Sequence, residues 1–228
     1  MKPEVLGIIP ARGGSKGVPL KNRRLVAGQP LIQYSIVAAL RSKRLTNVVV
    51  STDDPAIGEI ARACGVEVVE RPTQLAEDDS LVIDAVRHVV ETLVANDRAK
   101  PQAIVLLQPT APLRTSQDID NAIGLFFDKG FNPVCSVSRC EDNHPARMCR
   151  LHETGVLVSL MPELASLRHQ DLPPVYHRNG ALYVFGQREL AAGHIIVPNM
   201  TPYVMDSQQS LNIDTEFDLL VLDRVLSL

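Results

Sequence analysis

The chain has 228 residues, of which 45% are hydrophobic and 21% charged, so it can bury one sizeable core and is too apolar for intrinsic disorder. Tryptophan is absent, aromatics are 4%, and the net charge is −3, which excludes the basic, aromatic-rich surface of a nucleic-acid binder. No apolar stretch reaches the ~20 residues of a membrane span.

Taken in chain order, residues 5–10 form a nearly unbroken apolar run and predict a strand buried on both faces. A glycine-rich, basic loop follows at 11–24. Residues 31–43 predict a helix, 47–52 a strand, and 55–64 a helix with Pro55 at its first position and Gly65 as its stop. Strands at 66–70, 103–108 and 133–138 alternate with helices at 80–95 and 116–129. From about 140 to 174 the rhythm breaks into short strand-like pieces (147–151 and 155–158) and a proline-rich run, read as an inserted dimerisation arm. A strand at 181–185 resumes the sheet, and 215–228 forms a last helix, with Thr215 and Asp218 in capping-box spacing.

This alternation predicts one α/β domain over 1–228, with a mainly parallel sheet flanked by helices and right-handed crossovers. Ligands of such sheets gather beyond the carboxyl ends of the strands. No signal-peptide layout is visible at the first residues, and Cys64, Cys135, Cys140 and Cys149 show neither CxxC spacing nor a disulfide framework. A cytoplasmic protein is expected.

The loop at 11–24 holds Arg12, Lys16, Lys21, Arg23 and Arg24 and no acidic residue, in a chain that is acidic overall. Gly13, Gly14 and Gly17 permit close backbone approach, and successive N–H groups in such a loop can cradle an anion. Arg12 and Lys16 add a forked and a compact charge suited to a polyphosphate. The spacing is neither that of a P-loop nor GxGxxG. A merely solvated surface loop would have the same composition, but the position after the first strand favours phosphate binding.

The run Ile9-Pro10-Ala11-Arg12-Gly13-Gly14-Ser15-Lys16-Gly17, followed by Pro19-Leu20-Lys21-Asn22, resembles the signature of the CMP-sialic acid synthetases, or acylneuraminate cytidylyltransferases. Further matches come in order: Ser51-Thr52-Asp53, Arg71-Pro72, Leu107-Gln108-Pro109-Thr110-Ala111-Pro112-Leu113-Arg114, His144-Pro145, Asn179-Gly180-Ala181-Leu182-Tyr183 and Ile213-Asp214-Thr215-Glu216-Phe217-Asp218. The resemblance covers essentially the whole chain. The related CMP-legionaminic and CMP-pseudaminic acid synthetases carry near-identical blocks.

The resemblance implies a Rossmann-like nucleotidyltransferase fold and transfer of CMP from CTP to the anomeric hydroxyl of a nine-carbon 2-keto sugar acid. Pyrophosphate would leave with the help of Mg²⁺. It places Arg12, Ser15 and Lys16 on the triphosphate with Lys21 nearby, Asn22, Arg71 and Ser80 around the cytosine, and Gln108 on the sugar acid. Arg147 would reach the sugar from the arm of a partner subunit in a homodimer. Tyr183 corresponds to a sugar-pocket residue, although an aromatic on a strand serves equally well as core.

Two departures stand out. Relatives commonly pair aspartates one residue apart to hold Mg²⁺; here the pair is Asn212 and Asp214, whose side chains share one face of an extended segment. Asp214 is then the principal ligand, and metal affinity without nucleotide should be weak. Where relatives have Arg before Gln170, this chain has His169, with Arg168 one residue earlier, so Arg168 or His169 would have to meet the sugar carboxylate. Asp214 and Asp218 are both candidate general bases. Asp118 and Asp120 share the DxD spacing, but in the first turn of a helix they read as dipole partners. That leaves the alternative of a metal-dependent nucleotide-sugar glycosyltransferase without a convincing metal motif.

Overall fold

In a computed structural model, which describes residues 3–227, the apolar runs become strands covered on both faces. The chain runs β1 (Val5–Pro10), a small hairpin of β2 (Leu25–Val26) and β3 (Gln29–Pro30), α1 (Leu31–Leu40), β4 (Asn47–Thr52), α2 (Pro55–Ala63) and β5 (Glu67–Glu70). It continues with α3 (Val82–Ala95), β6 (Ala103–Leu107), α4 (Ser116–Asp128) and β7 (Val134–Arg139). The arm carries β8 (Cys149–Leu151) and β9 (Leu157–Ser159), followed by β10 (Tyr176–Phe185), α5 (Gln187–Ala192), β11 (Thr201–Val204) and α6 (Glu216–Leu226).

Seven strands form one sheet in the order β11-β7-β10-β6-β1-β4-β5. Only β10 is antiparallel to its neighbours β6 and β7; the other pairings are parallel. Successive strand residues point to opposite faces. Ile9 and Val50 therefore pack with Ile32, Ile36, Ile57 and Phe126 on one side, and Ile8 and Val49 with Val86, Val90 and Leu93 on the other.

Local chemistry sets the helix starts. Asp54 accepts from Ala56 N and Ile57 N ahead of Pro55, and Thr115 with Asp118, like Thr215 with Asp218, closes a capping box. A third cluster of Val18, Val26, Leu31, Ile213, Leu219 and Leu222 pins α6 against the basic loop. It brings the basic loop and the segment around Ile213 together at the carboxyl edge of the sheet.

The sequence expectations fail where elements are short or pairings distant. The β2–β3 hairpin, α5 and β11 carry too little periodic pattern to be read. β10 begins at Tyr176 rather than at 181, because a register shift between Arg178 and Tyr183 lets it follow β7 beyond the bulge. The last helix was expected to reach 228, a position outside the described residues. In the arm the two strand-like pieces pair as an antiparallel hairpin, with the first strand at Cys149 rather than 147, after a 3-10 turn over Pro145–Arg147. Its Leu151, Val156, Leu157 and Val158 are exposed.

Candidate active site

The carboxyl ends of β1, β5 and β6 open onto a cleft of about 300 Å³, lined among others by Arg12, Ser15, Lys21, Asn22, Arg71, Ser80 and Gln108. Those seven positions, spread over nearly a hundred residues of sequence, meet because parallel strands deliver their loops to one edge.

The basic loop is tied at several points. Gly13 N donates to Asp53 Oδ1 at 2.9 Å, and Asn22 Nδ2 donates to the carbonyl of Arg12 at 3.0 Å. Gly17 lies so close to the Asp214 carbonyl that a Cβ there would overlap it. Lys21 is nearly buried, and its ammonium donates to Ile213 O at 2.6 Å and to Asp214 Oδ1 at 3.2 Å. Lys21 thus serves the carboxylate of the last loop. It lines the cleft, yet its charge is committed to the segment carrying Asp214.

Arg12 and Lys16 converge on a residue that sequence reasoning missed. Arg12 Nη1 lies 2.9 Å from Asp78 Oδ1, Lys16 Nζ lies 3.0 Å from Asp78 Oδ2, and Arg12 also donates to Glu77 O at 3.0 Å. The Lys16 hydrogen bond, with the Arg12 charge behind it, holds the exposed Asp78 carboxyl below its ordinary range. The only legible signal was the acidic run Glu77-Asp78-Asp79 just ahead of Ser80.

Arg71 is held rather than mobile. Its Nε donates to Ser51 Oγ at 3.2 Å and its Nη2 to Ser51 O at 2.9 Å, and burial lowers its pKa. Ser80 Oγ donates to Gln74 O at 2.6 Å, closing the turn that carries Asp78. Across the cleft, Gln108 leans on Gly180, where an added Cβ would lie 3.3 Å from its Oε1 and where φ is +72°.

Asp214 has a side chain 67% exposed, and the Asn212 amide donates to its Oδ2. One carboxylate and one amide form no cage; among the described residues no three His, Cys, Asp or Glu cluster for a metal. Such a donor set suits Mg²⁺ only when phosphate oxygens and water complete its shell. Asp218 differs. Partial burial pushes its carboxyl up, but donors Asp214 N, Thr215 Oγ1 and Thr215 N, with the Lys21 charge, outweigh it and leave it below its ordinary value.

Lys16 and Asp214 reach the cleft lining only through Asp78 and Lys21, and Asn212 only through Asp214, while four further expected residues lie elsewhere. Arg147 donates to Leu167 O and Arg168 pairs with Asp171, both within the arm region, while His169 approaches Glu141 O. Tyr183 is buried in the core against Leu106 and Cys135, and burial raises its pKa. Arg114, in the loop after β6, is buried. Its Nη1 donates to Gln108 O at 3.2 Å and also to Ala181 O.

The sequence matches the cytidylyltransferase family model over residues 6–217. The chain belongs to the cytidylyltransferase family. It is 34% identical, over 98% of its own length and 97% of the other's, to a CMP-N,N'-diacetyllegionaminic acid synthase of Legionella pneumophila. It is 32% identical over 96% of its length to an N-acylneuraminate cytidylyltransferase of Escherichia coli O18:K1:H7, and spans 51% of that protein. A streptococcal N-acylneuraminate cytidylyltransferase, from Streptococcus agalactiae, is matched at 33% over a similar half of its length. Among solved structures, a CMP:2-keto-3-deoxy-manno-octonic acid synthetase complexed with CTP superposes with a TM-score of 0.73 at 15% identity, covering 98% of both chains. That likeness shows the fold of this cytidylyltransferase.

Proposed function

We propose that the protein transfers CMP from CTP to the anomeric hydroxyl of a nine-carbon 2-keto sugar acid of the sialic or legionaminic type, releasing pyrophosphate. The observation that carries this reading is the convergence of Arg12 and Lys16 on one carboxylate at the mouth of a cleft that also holds Arg71 and Gln108. The two cations already bind an internal anion, and a triphosphate is a stronger one.

In this reading the loop N–H groups, Ser15, Arg12 and Lys16 receive the triphosphate as Asp78 yields. Asn22 and Ser80 present polar groups to the cytosine edge beside the fixed Arg71, and Gln108 orients the sugar acid. The anomeric oxygen attacks the α-phosphorus in line and the pyrophosphate leaves, so positioning and charge neutralisation supply most of the catalysis. Mg²⁺, when bound by Asp214 beside Asn212 and by phosphate oxygens, would neutralise the developing charge. The proton of the anomeric hydroxyl passes to water. Asp218 is spent on its three donors as a helix cap, and Lys21 and Asn212 each donate to Asp214 and hold its carboxylate in place for the metal.

The exposed apolar residues of the arm support a homodimer, in which Arg147, Arg168 and His169 would approach the sugar of a neighbouring cleft. Sedimentation reporting a monomer at micromolar concentration would remove that part of the reading. The reaction itself is tested by incubating the protein with CTP, Mg²⁺ and a panel of N-acetylneuraminic, legionaminic and pseudaminic acids, and detecting pyrophosphate. Turnover with at least one acid is expected. Silence with all of them, with CTP bound or not, would overturn the reading.

A further inference from the structure

Behind the cleft lies a charge that the proposed chemistry does not use. Arg114 is 2% exposed, and burial lowers its pKa to about 10 despite the neighbouring Asp118 carboxylate, so it is still a cation at neutral pH. Its Nη1 bridges two carbonyls from separate elements, Gln108 O at the end of β6 and Ala181 O in β10. Its Nε and Nη2 are buried without a protein partner. A buried guanidinium with unmade hydrogen bonds is costly, so two carbonyl contacts are a weak return for its burial.

What the cation gains is control of the two backbone pieces on which the Gln108 amide sits. Gln108 leans on Gly180, and Gly180 lies inside the β10 register shift, between Asn179 and Ala181. Asn179 Oδ1 accepts from Ser136 Oγ at 2.6 Å and from Ala181 N at 3.2 Å, so the bulge is stitched from below. Arg114 stitches it from the β6 side. Its counter-charge is also fixed, because Asp118 accepts from Thr115 N at 2.7 Å and from Tyr203 Oη at 2.9 Å.

We propose that Arg114 is a positioning residue for the acceptor half of the reaction, holding Gln108 and the Gly180 bulge at the spacing the sugar acid requires. This rests on the assignment of Gln108 to the sugar acid made above. The arrangement leaves the triphosphate side, with Arg12, Lys16 and Asp78, untouched.

The test is a cycle of wild type, Gln108→Ala, Arg114→Lys and the double variant, with CTP affinity measured by calorimetry and sugar-acid kinetics by pyrophosphate release. Lysine keeps the charge but lacks the planar fork. Arg114→Lys is expected to lower kcat/KM for the sugar acid roughly ten- to a hundredfold, with CTP affinity unchanged. In the Gln108→Ala background it should cost little more. Independent, multiplying losses, a parallel loss of CTP affinity, or no kinetic effect would each overturn the proposal. If Gln108→Ala alone leaves sugar-acid kinetics intact, the assignment of Gln108 fails first, and the role of Arg114 falls with it. Should Arg114→Lys not fold, Tyr203→Phe removes one support of Asp118. A several-fold loss that vanishes in the Gln108→Ala background sustains the proposal, and an equal loss in both backgrounds defeats it.

Discussion

Arg12 and Arg114 stand in the loops that follow two neighbouring strands and carry the same guanidinium to opposite ends. The Arg12 side chain is 31% exposed and is paired with a carboxylate that is itself 52% exposed, a contact that water and salt weaken. Arg114 is sealed in the core and holds backbone carbonyls that cannot leave. An exposed cation with a replaceable partner can exchange that partner for a ligand. A buried one with fixed partners can only shape what surrounds it.

The comparison breaks most sharply at the exposed end. Arg12→Ala and Asp214→Ala should each abolish CTP-dependent pyrophosphate release, a loss of about 10³-fold or more; the thermal unfolding midpoint should hold in Arg12→Ala and fall in Asp214→Ala, which leaves Lys21 without its counter-charge. Full activity in either variant would show that the cleft is misassigned. Gly17→Ala comes next, since the new Cβ must push the basic loop away from the Asp214 carbonyl. A loss of about 10²-fold in kcat/KM is expected.

The buried end should answer in stability as well as in sugar-acid kinetics. Arg114→Met leaves the carbonyls of Gln108 and Ala181 without their donor and should cost about 1–3 kcal/mol, read as a lower midpoint in urea. A variant more stable than the wild type would mean that the cation serves position alone. Asp78→Asn should tighten CTP binding by roughly a few-fold, and more at low salt, since Arg12 and Lys16 lose only an exposed competitor. Weaker binding in calorimetry would make Asp78 part of the nucleotide seat.

The smallest effect concerns acid. Asp218 has a folded pKa below its ordinary 3.8, so its contribution to stability is complete above that value and is lost as pH falls through the lowered one. Asp218→Asn should therefore lower the unfolding midpoint at pH 6 and narrow the gap to wild type below pH 3.8. An unchanged gap across that window would remove the cap from the account.

The central strands were legible because β1, β4 and β6 are short unbroken apolar runs between helices with clear caps and stops. The basic loop was legible because five cations without an acid are unusual in a chain of this charge. Asp78 and Arg114 were not. Asp78 sits in an ordinary acidic turn, and nothing local says that the turn folds back onto Arg12. Arg114 follows two prolines in a polar loop, where a cation is expected to be solvated.

What the sequence determined by itself is therefore a periodicity and a set of residue types: buried parallel strands, helix ends, and a cation loop placed where a ligand would be met. The tertiary structure decided partners. It put Lys21 against Ile213 and Asp214, ran β10 antiparallel to both its neighbours with a bulge within it, and buried Arg114 beneath Gln108. Local pattern fixes which groups are available within a turn or two of chain. Which groups finally touch depends on loop closures between residues 65 to 193 apart, as for Arg12 and Glu77 or Lys21 and Asp214, and only the packed sheet and its helices select among those.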